Sequence, residues 1–173
     1  MAEANSIWVF GYGSLLWGTG DVRPVREQIG HLEGWHRDWT WISASRHGAP
    51  TCSLVRGGRV KGKFFNLNPT TTEQDIEYFR RRERPGTEQE MRDVPRHGAR
   101  AYYWTMGSNL RQYPELARLD GEELLNALAR RAKGVTEVGC DGVSAVEYIR
   151  RVHEFDPGDE RTAALFKFLD AET

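Results

Sequence analysis

The segment that most constrains this chain is Ile7-Trp8-Val9-Phe10, a compact β-rich run that stops at Gly11 and continues as Tyr12-Gly13-Ser14-Leu15-Leu16-Trp17. A short apolar run of this kind, closed by glycine, reads as a first strand buried on both faces. Two glycines one residue apart let the backbone turn tightly and approach a ligand without Cβ obstruction. Consecutive N–H groups in such a turn form a concavity that suits an anion or a carbonyl oxygen. It is not a dinucleotide fingerprint, because Leu16 stands where the third glycine is needed. Nor is it a phosphate-binding Walker loop, since no Gly-Lys-Ser/Thr closes it. A purely structural turn is the plain alternative.

The rest of the chain starts strand-rich and ends helix-rich. Aromatic and polar residues alternate from Trp35 to Ser43, the period of a strand that places Trp35, Arg37, Trp39 and Trp41 on one side. Cys52–Val55 and Val60–Leu67 flank Gly57-Gly58, which predicts a hairpin turn. Arg100–Thr105 reads as a further strand. Asn68-Pro69-Thr70-Thr71 followed by Glu73 predicts a helix through about Arg82, ended by Pro85-Gly86. Three more helices are expected: one over Glu122–Lys133 capped by Asp120, one over Ser144–Glu154 and one over Asp159–Asp170. This order fits a mixed α+β fold, a barrel-like β-sheet with flanking helices, better than regular βαβ alternation. No repeat or long linker interrupts residues 1–173, so a single domain is expected.

Composition narrows the function classes. Six Trp, six Tyr and seven Phe, with 39% hydrophobic residues, exclude a disordered chain. Twenty-four Lys and Arg against 25 Asp and Glu give a formal net charge of −1, which supplies no global attraction for nucleic acid or an anionic membrane. No apolar stretch approaches the roughly 20 residues of a membrane span. The first residues lack a basic segment followed by an apolar core, and Cys52 and Cys140 stand alone without CxxC spacing. A cytoplasmic, reduced protein is the expectation, with no metal: His31, His36 and His47 are scattered rather than set at ligand spacing. Ser14 lacks the Gly-x-Ser-x-Gly elbow of a serine nucleophile, although an amidohydrolase using it is a remote alternative. The Trp35/Trp39/Trp41 stripe reads as a buried strand face sooner than a base-stacking platform.

The string Phe10-Gly11-Tyr12-Gly13-Ser14-Leu15-Leu16-Trp17 resembles the opening signature of the ChaC-like γ-glutamyl cyclotransferases. Further segments follow that pattern in order: Gly34-Trp35-His36-Arg37-Asp38-Trp39, Val60-Lys61-Gly62-Lys63-Phe64-Phe65, the stretch from Ile76 to Gly86 with its Arg82-Glu83 pair, and Gly142–Ile149. The resemblance runs from about Trp8 to Phe155, and its first motif is the specific one. It implies a γ-glutamyl cyclotransferase-like fold and a cofactor-free reaction. In that reaction the free α-amine of a γ-glutamyl compound attacks its γ-carbonyl, giving 5-oxoproline and a released amine. Glutathione, releasing Cys-Gly, is the leading substrate so implied. γ-Glutamyl-amino acids or γ-glutamylamines are the same-chemistry alternative, and a non-catalytic binding module for a small metabolite or a protein is the alternative of another class.

By the same resemblance Glu83 is the catalytic carboxylate, Tyr12, Gly13, Ser14 and Leu15 receive the γ-glutamyl group, and Tyr148 closes the pocket. The residues themselves leave two environments open for Glu83: cationic neighbours in Arg80-Arg81-Arg82-Glu83-Arg84 would hold it ionised, whereas apolar burial would raise its pKa. Glu77, Glu88 and Glu90 are nearby competitors. The chain departs from the family pattern after Glu83, where Pro85-Gly86-Thr87 replaces a small pair and a tyrosine, and at His47-Gly48-Ala49-Pro50, a shortened loop.

Overall fold

A computed structural model describes residues 6–94 and 99–171. The elements in order are β1 (Ile7–Gly11), β2 (Arg26–Ser43), β3 (Ala49–Asn66), α1 (Thr72–Arg82), β4 (Thr87–Val94), β5 (Ala99–Thr105), α2 (Pro114–Ala117), α3 (Gly121–Gly134), α4 (Ala145–Phe155) and α5 (Glu160–Asp170), with short 3₁₀ turns at Ser14–Leu16, Ala44–Arg46 and Leu110–Gln112. The sheet order is β2-β3-β1-β5-β4. β1 runs antiparallel to β3 (Val9 opposite Phe65) and parallel to β5 (Val9 opposite Tyr102), and β4 is antiparallel to β5. This is the expected mixed α+β class.

The chain divides into two compact units, 1–33 with 61–106, and 34–60 with 107–173. In the first, Val9, Leu15, Val22, Phe65, Leu67, Ile76, Phe79 and Trp104 form one apolar cluster. β1 is apolar throughout because it lies between two strands, and Trp8, Val9 and Phe10 are at most 1% exposed. α1 buries only Ile76 and Phe79 and leaves its charged remainder to solvent.

The second unit packs α3, α4 and α5 against one another, with Leu128, Ala132, Ile149, Val152 and Leu165 buried. Ser144 and Asp159 cap α4 and α5 by accepting from the N–H groups of Glu147 and Thr162. Asp120 occupies the N-cap position of α3, but its side chain makes no capping bond. Trp35, Arg37 and Trp39 of β2 are buried as their alternation requires; the phase then slips, so that Ile42 is buried and Trp41 half-exposed.

The expected Gly57-Gly58 hairpin is corrected. Residues 49–66 are one strand that bends at these glycines, with φ of 101° and 81°. Gly-Gly signals a reversal only when both flanking runs must pair with each other. Here the bend stays opposite β2, where the His36 imidazole bonds the Gly57 carbonyl at 2.8 Å, and the positive φ accommodates a kink in a continuing strand. Two stretches unforeseen from the sequence are also extended: Arg26–Glu33 of β2, and β4. Both belong to edge strands, whose charged and polar residues mask the usual apolar period.

Among the described residues no helix is long and apolar enough to cross a membrane. Cys52 is buried and Cys140 exposed, and neither forms a disulfide.

Candidate active site

The glycine loop follows directly from the end of β1. A Cβ on Gly11 would stand 2.5 Å from the Leu15 Cβ, so only glycine allows the chain to fold back onto itself there. Gly62 of the neighbouring strand β3 is equally constrained, because a Cβ there would strike the Gly11 carbonyl and the Phe10 ring. The loop then closes as a 3₁₀ turn in which Leu16 N–H donates to the Gly13 carbonyl at 2.9 Å and Trp17 N–H to the Ser14 carbonyl at 3.3 Å. The N–H groups of Ser14 and Leu15 precede the first donor of that turn and have no acceptor within it. Tyr12, Gly13 and Leu15 are buried and Ser14 half-buried. The Tyr12 hydroxyl donates to the Trp104 carbonyl at 2.6 Å.

Glu83 is the C-cap residue of α1, and its N–H donates to the Phe79 carbonyl at 2.8 Å. The Arg84–Pro85 peptide is cis, and Gly86 N–H donates back to the Glu83 carbonyl at 2.7 Å, so the chain reverses at once into β4. Gly86 has no room for a side chain: a Cβ would lie 2.7 Å from the Glu83 carbonyl oxygen and 3.2 Å from the Trp104 Cβ. Trp104 is therefore the common support. Tyr12 bonds its carbonyl, Leu15 and Phe79 share its apolar cluster, and Gly86, in the turn that begins at Glu83, has no room for a Cβ beside its side chain.

The Glu83 side chain keeps 19% exposure. Burial pushes its carboxyl above the ordinary value of 4.5, and the Arg82 guanidinium, with Nε 3.7 Å from Oε1, pulls in the opposite direction without cancelling the effect. Of the two environments the sequence left open, the desolvated one prevails. The competing carboxylates are all more exposed than Glu83: Glu88 pairs with Arg80 at 2.8 Å, Glu77 lies 3.9 Å from the same guanidinium, and Glu90 lies 3.6 Å from both Arg92 and Arg100.

Tyr148 belongs to the second unit. Its ring, 4% exposed, meets Trp39 edge-on at 5.6 Å and carries the Arg46 guanidinium 4.2 Å above its centroid. Arg46 is itself held by Asp141 at 2.6 Å. Of the residues singled out from the sequence, then, the first unit gathers Tyr12, Leu15 and the Glu83 turn around Trp104, while Tyr148 sits with Trp39 and Arg46.

Sequence reasoning read Trp104 only as a strand residue and missed it as the anchor of this site; its contacts come from positions remote in the chain, and no local signal marks them. It also missed the buried pair Arg37–Asp156, joined at 2.6 Å. A signal for that pair existed, because an arginine within a buried aromatic alternation requires an acidic partner.

A family model described as ChaC-like protein matches residues 7–153. The glutathione-specific gamma-glutamylcyclotransferase of Escherichia coli (strain K12) is 34% identical over 86 residues, which cover 47% of this chain and 37% of that protein. The match thus spans little more than a third of the curated relative's length. Two crystal structures of a γ-glutamyl cyclotransferase specific to glutathione from yeast superpose with TM-scores of 0.65 and 0.66 at 16% identity; each covers 95% of this chain, and the match takes in 96% and 98% of the yeast chains. At that identity the likeness is one of fold. A family match over most of the chain, with this fold beneath it, makes the protein a member of the ChaC-like family.

Proposed function

We propose that the protein is a γ-glutamyl cyclotransferase that converts a γ-glutamyl peptide, glutathione first among them, to 5-oxoproline and the free amine. The observation that supports this reading is the burial that raises the carboxyl of Glu83, at a turn whose Gly86 lies beside Trp104, the residue whose carbonyl also takes the Tyr12 hydroxyl of the glycine loop. Membership of the ChaC-like family and the name of the Escherichia coli relative support glutathione as substrate.

The chemistry asks little of the protein. The substrate α-ammonium gives a proton to the Glu83 carboxylate, and the freed amine attacks the γ-carbonyl carbon to form the ring C–N bond. The carbonyl oxygen takes up the displaced electron pair as an oxyanion, for which the Ser14 and Leu15 N–H groups are the candidate donors. Collapse of that intermediate breaks the bond to the departing nitrogen, which takes the proton held by Glu83; the ring nitrogen then gives up its own extra proton to the carboxylate so freed, which passes it to the released amine as that leaves as an ammonium. Closing a five-membered ring within one molecule needs one conformer to be held, and fixing it contributes several kcal/mol. A carboxyl with a raised pKa serves both half-reactions, because it accepts and returns a proton nearer to neutral pH.

The test is release of 5-oxoproline from glutathione, γ-glutamyl-amino acids and γ-glutamylamines by the wild-type protein and by Glu83→Gln. Glutathione turnover with loss of roughly 10²–10⁴-fold in kcat for the variant is the expected result. Release from other γ-glutamyl compounds alone reassigns the substrate, and wild-type turnover in the variant removes Glu83 from the reaction.

A further inference from the structure

Arg82 lies next to Glu83 in sequence but does more than an exposed helix-end arginine. Its side chain keeps only 19% exposure, and the neighbouring arginines differ from it: Arg80 is committed to Glu88 and Glu77, and Arg81 and Arg84 are exposed. The Arg82 guanidinium has two neighbours. Nε lies 3.7 Å from the Glu83 carboxylate. Nη1 lies against Gly20, where a Cβ would stand 3.2 Å away, and the Tyr78 hydroxyl fills the rest of the space a side chain would need. Gly20 has φ of +64° and belongs to the segment that continues from the glycine loop. That segment is tied down locally: Asp21 N–H donates to the Tyr78 hydroxyl at 3.3 Å, and Arg23 Nη1 donates to the Gly20 carbonyl at 2.8 Å.

We propose that Arg82 is a positioning residue whose guanidinium, packed against the Gly20 turn, is held there beside the Glu83 carboxylate at the C-terminal end of α1. The inference rests on the reading of Glu83 as the acid–base group and adds to it the group that aims that carboxylate. A planar guanidinium suits the task, because Nε can face the carboxylate while Nη1 packs against Gly20, which a compact ammonium on a flexible stem does not do. Arg82 is also the charged side chain whose field opposes the effect of burial on Glu83. The other charged groups on the elements packed here face elsewhere: Glu77 on α1 and Glu88 on β4 face Arg80, and Asp21 on the loop is exposed.

The experiment is the pH dependence of kcat and kcat/KM for 5-oxoproline release from glutathione, for wild type, Arg82→Gln and Arg82→Lys, with Glu83→Gln as reference. Without the cation, Glu83 holds its proton to higher pH. Arg82→Gln therefore moves the acid limb upward and costs about three- to tenfold in kcat/KM below that limb, in excess of any loss on the plateau. Arg82→Lys keeps the charge and returns the limb to the wild-type position, but it loses the packing against Gly20 that fixes the cation and lowers plateau kcat roughly threefold. An acid limb in Arg82→Gln that coincides with the wild-type limb overturns the proposal. If the glutamine variant does not fold, the lysine variant decides alone, and wild-type kcat in it overturns the proposal. Glu83→Gln keeps the two readings apart: wild-type turnover there defeats the acid–base role itself, whereas an inactive Glu83→Gln beside an unaffected arginine series defeats only the role of Arg82.

Discussion

The hydroxyl of Tyr12 donates to the carbonyl of Trp104 at 2.6 Å, joining positions 92 residues apart. β1 and β5 are parallel neighbours whose register runs to Val9 opposite Tyr102, and this side-chain bond continues the attachment past the last backbone pair. Both residues are buried, at 8% and 4% exposure. Tyr12→Phe keeps the ring and removes the bond, so it should cost about 1 kcal/mol of stability in urea unfolding. Because the same bond seats the glycine loop, the variant should also lose more in kcat/KM for 5-oxoproline release than its small loss of stability accounts for.

Gly11→Ala tests the loop from its other end. The added Cβ meets the Leu15 Cβ at 2.5 Å, and the Leu15 Cβ is not the free end of a flexible chain that can swing aside. Overpacking of this kind costs about 1–3 kcal/mol, and the backbone shift that relieves it moves the Ser14 and Leu15 N–H groups. A lowered midpoint in thermal unfolding together with a reduced kcat is expected. A variant as stable and as active as wild type would show that the return at Gly11 is dispensable.

Burial raises the Glu83 carboxyl above its ordinary 4.5, so the folded protein holds this proton more tightly than the unfolded chain does. The stability tied to the protonated group is complete below about that ordinary value and is lost as pH rises through the higher folded value. Glu83→Gln is neutral at every pH. The variant should therefore be more stable than wild type at neutral pH, on the order of 1 kcal/mol, with the difference fading toward pH 4. Denaturant unfolding at several pH values measures it, and a gain that grows on acidification would contradict the burial of this carboxyl.

The two cysteines should differ sharply toward thiol reagents. Cys52 is buried, and its thiol is pushed up to about 12 by burial, against the smaller opposing influence of Arg37. Cys140 is exposed. A chromogenic disulfide reagent at pH 8 should label one thiol per chain rapidly and the second only when the protein is unfolded. Cys140→Ser should abolish the rapid phase.

Elements governed by near neighbours were readable before any coordinates. β1 and its glycine loop, α1 ending at Arg82, and the spans of α4 and α5 depend on residues within about one turn of one another, and they form where the local pattern places them. The edge strands resisted the same treatment, because Arg26–Glu33 and Thr87–Val94 take their extended form from a neighbour on one side while their polar residues carry no apolar period. Gly57-Gly58 misled for a related reason. A glycine pair permits a positive φ but does not say whether the chain reverses or merely kinks, and that choice belongs to the strand lying opposite.

The division is the same at the site. From the residue order alone come the glycine loop, the Arg82-Glu83 pair, and the resemblance that attaches chemistry to both. Tertiary structure alone decided that Glu83 is less exposed than Glu77, Glu88 and Glu90 and that burial pushes its carboxyl up, and that Trp104 takes the Tyr12 hydroxyl while lying beside the turn at Gly86. The physical reason is that backbone preferences act over a few residues, whereas desolvation and ion pairing depend on whatever the folded chain brings within a few ångströms. Arg37 and Asp156, 119 residues apart and joined at 2.6 Å, are the plainest case.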